Sequence, residues 1–444
     1  MTKVIITALL LTTLAACTTD DEPTAGGRTI TIGADVVASD TRAGQTACID
    51  YSVLATEGFG VFASSATVGY SNDWLQNNHV TYTPTPVEDD LGIVHVHPGN
   101  WTYTAAQKNW PSTGTISFFG YAPYVAAGAS EPGITAIDGT NANDPTVSYQ
   151  VATSVSQCVD LLWGVKGTTG LPWLNVTSTD APVVLTFRHA LAAVGFRAQV
   201  MVDQDNNLAD LNDATKTGKP GTNECKVTIK SIKLTATDEG SFWETGTLHL
   251  NNDADRDGVA DVGEVNTPYW TGQSGTLNDF KLSGDAIDAK LRAPESYPSS
   301  NSEIETFMTN TTTNPGITEA ANSQLVISTA TGKTPAALNG KEQCWMFIPK
   351  AAQNYQVKVE YYVTYKTSDT PTYNTFDYTG ANAKTIDISS WELKPDTKYY
   401  LNLVFGLKTL GLTVTATDWA NTPLPVSVII ERGTSASQSL SRQQ

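Results

Sequence analysis

An all-β protein built of β-sandwiches is predicted by three observations. Short apolar runs rich in Val, Ile, Thr and Tyr alternate at every second residue, the period of a half-buried strand. Clusters of Gly, Pro, Asn and Asp punctuate them roughly every 8–15 residues. Helical periodicity is scarce, and no strand–helix alternation calls for a parallel sheet. With 444 residues, 40% of them hydrophobic, the chain is long enough for two or three cores.

The elements follow in order. Residues 1–16 carry one early cation, Lys3, and an apolar run from Val4 to Ala16, too short to span a bilayer and of the type that directs secretion. The run ends in Leu14-Ala15-Ala16-Cys17, which resembles the bacterial lipobox and implies cleavage before Cys17 and acylation of its sulfur. The alternative is an ordinary signal peptide beside a chance cysteine. Residues 17–27 are polar and read as a flexible tether; Asp20-Asp21-Glu22 within it resembles a surface-export signal or is simply solvated linker.

Strands are expected at Arg28–Val37, Thr115–Ala122 and Val183–Phe187 in an N-terminal domain, 28–203. The polar stretch from Asp203 to Asn223 has no periodicity, which places a linker at 204–224. The C-terminal domain, 225–444, is expected to hold strands at Lys226–Ala236, Tyr355–Tyr365, Lys398–Leu407 and Leu412–Thr417, with long polar insertions between about 251 and 320 and a polar tail from Glu431. Two short helices are expected at Ala286–Arg292 and Ile304–Thr309.

Charge narrows the function. With 27 basic and 45 acidic residues the formal net charge is −18, so the surface lacks the basic patch that nucleic acid or anionic lipid requires. Apart from Cys17, four cysteines remain: Cys48, Cys158, Cys225 and Cys344. None is in CxxC spacing, so they are either up to two disulfides or separate buried thiols.

The sharpest motif is Asp253-Ala-Asp255-Arg-Asp257-Gly258-Val259-Ala-Asp261-Val-Gly-Glu264, which fits the twelve-position calcium loop. Carboxylates of Asp253, Asp255 and Asp257 converge because Gly258 permits a sharp turn. Val259 offers its carbonyl, Asp261 a direct or water-mediated oxygen, and Glu264 a bidentate close. Its flanks are a strand and a turn rather than helices, so this is a bare structural calcium loop or a solvated acidic hairpin. His95 and His97 share one strand face; with no third ligand specified they read as a satisfied or solvated pair rather than as a metal half-site, and His189 reads as a core or capping residue. No GxSxG, HExxH, P-loop or dinucleotide motif is present, so no catalytic residue is assigned. Trp74, Trp101 and Trp110 lie in polar loops, where they stack on sugars if exposed and join the core if buried.

Several segments in order resemble the fimbrillin family of Bacteroidetes, the type V pilus subunits. They are the lipobox Cys17, Asp40-Thr41-Arg42-Ala43, Trp101-Thr-Tyr, Asn109-Trp110-Pro111, Ser117-Phe-Phe-Gly-Tyr-Ala-Pro-Tyr124, Asp160-Leu-Leu-Trp163 and Leu185-Thr-Phe-Arg-His-Ala-Leu-Ala192. The second half adds Val227–Leu234, Gly246-Thr-Leu, Met346-Phe-Ile-Pro349, Tyr399–Leu403 and Ala416-Thr-Asp-Trp419. The calcium-type loop is outside the resemblance.

The resemblance implies two transthyretin-like Greek-key β-sandwich domains in tandem and a lipid-anchored (palmitoylated) outer-membrane lipoprotein at the cell surface or in a fimbrium. It further implies cleavage by an Arg-specific protease, here between Arg42 and Ala43, releasing the first strand. The groove left behind would accept a strand from the next subunit, donated by Val426, Val428, Ile429 and Ile430, unless these form the last strand of their own domain. The expected partners are other fimbrial subunits and a surface glycan or protein receptor. The alternatives are a non-polymerising glycan-binding lipoprotein and a carbohydrate-active enzyme with a dispersed carboxylate pair.

Overall fold

The computed structural model describes residues 28–36, 49, 51–65, 75–83, 87–88, 94–95, 101–106, 108–111, 113–130, 133–167, 169–179, 181–200, 225–237, 241–253, 267–310, 325–328, 342–366, 373–418 and 423–426. The fold is all-β, as expected. In chain order the first half contains β1 (Ile32–Val36), helix α1 (Tyr51–Glu57), β2 (Phe59–Ser64), β3 (Leu75–Tyr82), β4 (Val87–Glu88), β5 (Val94–His95), β6 (Trp101–Tyr103), β7 (Ile116–Ala122), β8 (Ile134–Asp138), β9 (Thr146–Gln150), β10 (Leu162–Lys166), β11 (Trp173–Val176), β12 (Val183–His189) and β13 (Ala192–Val200). The second half contains β14 (Cys225–Ala236), β15 (Thr245–His249), β16 (Tyr269–Ser274), β17 (Asp279–Ser283), helix α2 (Asn301–Thr309), β18 (Leu325–Val326), β19 (Trp345–Phe347), β20 (Lys350–Lys366), β21 (Tyr373–Tyr378), β22 (Lys384–Leu393), β23 (Thr397–Phe405), β24 (Leu410–Asp418) and β25 (Pro423–Val426).

All seven strands expected from alternation are present within a few residues of their predicted ends. Alternation marks the strands that cover a core with one face. In β12 the buried positions alternate through Val183, Leu185, Phe187 and His189, with half-buried residues between them. In contrast, every residue of β7 is buried: Phe118 faces one core cluster while Phe119 and Tyr121 face another. A strand covered on both sides reads as a continuous apolar run.

An eight-stranded sheet has the order β1-β12-β10-β7-β2-β3-β6, with β11 beside β7. A six-stranded sheet runs β18-β13-β23-β24-β25 with β19 beside β13, and a five-stranded sheet runs β17-β14-β20-β21 with β22 beside β20. A four-stranded sheet, β16-β15-β9-β8, and the β4–β5 pair complete the set.

Pairing crosses the boundary expected at 204–224, a segment that itself lies outside the described residues. Strand β13 precedes that boundary, yet it pairs in parallel with β23 from Ala192–Thr397 to Val200–Phe405. Strands β8 and β9 likewise share a sheet with β15 and β16. Hydrogen-bond partners at long range, and not position along the chain, decide which sheet a strand joins.

Of the two expected helices, Ile304–Thr309 belongs to α2, whose start is fixed by a capping box in which the Ser300 hydroxyl accepts from the Glu303 amide while the Glu303 carboxylate accepts from Ser300 N–H. The other, Ala286–Arg292, is not an α-helix. A short 3₁₀ turn, Gly284–Ala286, leads into it; Leu291 and Arg292 N–H bond locally to Asp288 O, but other groups bond at long range, Ile229 N–H to Leu291 O and Asp288 N–H to Ile327 O. Tertiary partners outcompete a weak local period. Helix α1 carried no clear period and was not expected.

Candidate functional site

The N-terminal strand sits where the eight-stranded sheet would otherwise be open. Strand β1 runs parallel to β12, with Ile32 opposite Val183 and Val36 opposite Phe187. Just before it the chain pairs on its other side with the segment following β6: Ile30 N–H donates to Lys108 O at 2.9 Å, and Trp110 N–H to Arg28 O at 2.7 Å. Thr29 and Asn109 face each other across an antiparallel bridge. Tyr103 reinforces the seam: its hydroxyl accepts from Lys108 N–H at 2.7 Å and donates to Ile30 O at 3.4 Å. Burial raises the Tyr103 pKa, the Lys108 amide bond opposing it, so the phenol remains a donor. Residues 28–36 thus close the gap between β12 and the chain beyond β6.

The inward side chains of this strand are Ile30, Ile32 and Ala34, each 1% exposed. They belong to a cluster with Val53, Leu54, Phe59, Trp101, Trp110, Phe118 and Phe187. Phe59 is packed between Trp101 and Phe187, with ring centroids 5.2 and 5.0 Å away. Burying two isoleucines contributes about 3–6 kcal/mol together. Without residues 28–36, unpaired backbone of β12 and an apolar trough would face water.

Strand β12 continues through Ala190 and Leu191 into β13, and this junction is held from several directions. Arg188 pairs with Asp396 at 3.4 Å, Asp396 N–H donates to Leu191 O, and Trp270 Nε1 donates to Ala190 O at 3.2 Å. His189 Nδ1 donates to Asp160 Oδ2 at 2.7 Å, so this histidine is a satisfied core residue. Strand β25 lies at the edge of the six-stranded sheet that also contains β13, antiparallel to β24, with Val426 opposite Val414.

The remaining expected site residues divide sharply. Cys17, Arg42, Ala43, Asp255, Asp257, Val259, Asp261, Glu264, Val428, Ile429 and Ile430 lie outside the described residues, as do Cys48, Trp74 and His97. Asp253 is described and 2% exposed, its N–H donating to Asn251 Oδ1 at 3.1 Å. Beside it Asn252 Nδ2 donates to Gly170 O and to Thr267 O, tying together the two ends of the acidic loop. His95 lies in the β4–β5 pair. Cys158 and Cys344 are free thiols and Cys225 is buried; burial pushes Cys158 up to about 12. Trp101 and Trp110 are core residues at 4% and 3% exposure. Among the described residues no group of three or more His, Cys, Asp and Glu side chains is placed to hold a metal, and no helix is long and apolar enough to cross a membrane.

A family model described as fimbrillin-like matches residues 41–419. The chain belongs to the fimbrillin-like family. Its fold is similar to that of a fimbrial protein from Bacteroides vulgatus ATCC 8482, with a TM-score of 0.53 at 18% identity over 88% of this chain and 99% of that one. A fimbrial assembly protein from Parabacteroides distasonis ATCC 8503 aligns over 87% of this chain and 95% of its own, at 9% identity and a TM-score of 0.34, too low to argue from. None of the curated proteins compared with this fimbrillin-like chain matches it. Sequence reasoning had not assigned Tyr103, Lys108 and Asp160 to the strand's surroundings; their roles come from pairing at long range, for which no local signal exists.

Proposed function

We propose that this fimbrillin-like protein is a cell-surface fimbrial subunit or fimbria-associated adhesin that assembles by donor-strand exchange. The observation that carries the reading is the seat of residues 28–36, an edge element plugging an apolar trough with backbone bonds on both sides. Loss of such a strand exposes what a strand from a second subunit satisfies, and the exchange conserves the bonding of both. In this reading the chain reaches the outer membrane as a lipoprotein acylated on Cys17, an Arg-specific protease cuts between Arg42 and Ala43, and Val426, Val428, Ile429 and Ile430 supply the donor strand. The position of β25 at a sheet edge, paired among the described residues to β24, suits a segment that must leave its own sheet. The loop with Asp253, Asp255, Asp257, Val259, Asp261 and Glu264 takes calcium as a structural ion in the same proposal. The partners are other fimbrial subunits and a surface receptor, and the protein works by assembly rather than turnover.

The glycan-binding alternative needs exposed aromatic platforms. The described loop tryptophans, Trp101 and Trp110, instead belong to the core beneath the N-terminal strand. Cleavage of the full chain with an Arg-specific protease tests the proposal: a ladder of multimers on a gel is expected. A chain that is cut at Arg42 and stays monomeric at high concentration refutes it.

A further inference from the structure

The chain is held at Ile49 by a device different from the one that seats β1. Ile49 N–H donates to Asp160 Oδ2 at 2.9 Å, and the same oxygen accepts from His189 Nδ1 at 2.7 Å. Ile49 lies 111 residues before Asp160 and His189 lies 29 after it, so three distant stretches converge on one carboxylate. The Asp160 side chain is 0% exposed and that of His189 5%. The other oxygen, Asp160 Oδ1, is buried with no hydrogen-bond partner among the described residues. A carboxylate with few donors in a dry site depends on each of them, because removing one leaves buried charge uncompensated.

We propose that Asp160, oriented by His189, is the stop that limits how far the chain frays from the new N-terminus that cleavage at Arg42 creates: the chain stays held from Ile49 onward. On the N-terminal side of this point residues 28–36 are held by backbone bonds to β12 and to residues 108–110. On the C-terminal side Ile49, Val53 and Leu54 are buried in the cluster under the trough. The helix that carries Val53 and Leu54 is anchored at its end, with Gly58 N–H donating to Leu54 O and the Glu57 carbonyl accepting from His79 Nε2. Peeling that reaches Ile49 takes a donor from Asp160, so it meets a step there. His189 is a positioning residue, keeping the carboxylate aimed at the Ile49 amide. The floor of the trough therefore survives removal of its plug and stays shaped for an incoming strand. This inference rests on the reading that residues 28–36 leave.

The test is amide hydrogen exchange across residues 53–57 of the full chain, beyond the Ile49 amide that bonds Asp160 directly, in the parent and in Asp160→Ala, each before and after cleavage at Arg42. Before cleavage the two proteins are expected to protect the segment alike. After cleavage the parent retains protection and the variant loses at least tenfold. A merely structural role lowers protection equally in the intact and the cleaved variant, and that result overturns the assignment, as does equal protection in the two cleaved chains. If Asp160→Ala does not fold, His189→Gln is read in the same samples by the same criterion. Multimer ladders judge the polymerisation reading separately: a cleaved parent that keeps the protected segment but stays monomeric retains the stop and loses donor-strand exchange.

Discussion

Replacing Ile30 and Ile32 together by alanine attacks the plug without touching β12. Both side chains are 1% exposed and share one inward face with Ala34. Truncating a buried isoleucine to alanine costs about 2–5 kcal/mol, transfer and cavity terms combined. An edge strand relaxes into the space it vacates, so the lower half of that range applies, about 2–3 kcal/mol per site. The two sites sit two residues apart over the same trough and are not fully additive, which gives about 4–5 kcal/mol for the pair. In the intact chain this appears as a lower midpoint of urea unfolding, the tether to Ile49 keeping the strand nearby. In the chain cut at Arg42 it becomes a binding defect: at 1.4 kcal/mol per tenfold, the released peptide is held roughly 10³-fold less tightly. Size-exclusion chromatography of the cleaved chain, with mass spectrometry of the peptide retained, reads this directly. If the double variant keeps both the unfolding midpoint and the peptide retention of the parent, residues 28–36 are not the plug of an apolar trough.

Two further outcomes follow from other parts of the chain. Lys226 is buried, and its ammonium donates to Phe307 O at 2.6 Å and Asn310 O at 3.0 Å at the end of α2; burial lowers its pKa from 10.5 to about 8. Below about 8 it is charged in both folded and unfolded states and the folded state bears the full desolvation cost; that cost fades as pH rises toward 10.5, so stability rises with pH over this window. The full shift corresponds to roughly 3 kcal/mol at 1.36 kcal/mol per pKa unit, and solvent screening reduces it to about 1–2 kcal/mol. Denaturant titrations of the parent at successive pH values should show this gain and those of Lys226→Met should not; parallel curves for the two proteins contradict it. For the acidic loop, calcium at about 100 times Kd should raise the parent's stability by about 2.7 kcal/mol, while Asp257→Ala/Glu264→Ala should show neither the rise nor a calorimetric calcium heat. Identical heats in both proteins remove the site.

The all-β class was legible because strands such as β12, half-buried on one face, carry a period of two in their own residues, while strands covered on both faces, such as β7, read as short continuous apolar runs. The helix expected at Ile304–Thr309 starts three residues earlier, at Asn301, because Ser300 and Glu303 satisfy each other's amides within one turn. The tertiary structure alone decided the rest. Whether Ala286–Arg292 coils into a helix depends on Ile229 and Ile327, distant residues that take its backbone bonds. That β1 runs parallel to β12, and β13 parallel to β23, depends on partners separated by roughly 150 to 200 residues, which no pattern inside a strand encodes. The meeting of Ile49, Asp160 and His189 is of the same kind. Local chemistry sets what each segment can become, and only the packed chain sets which segment it meets.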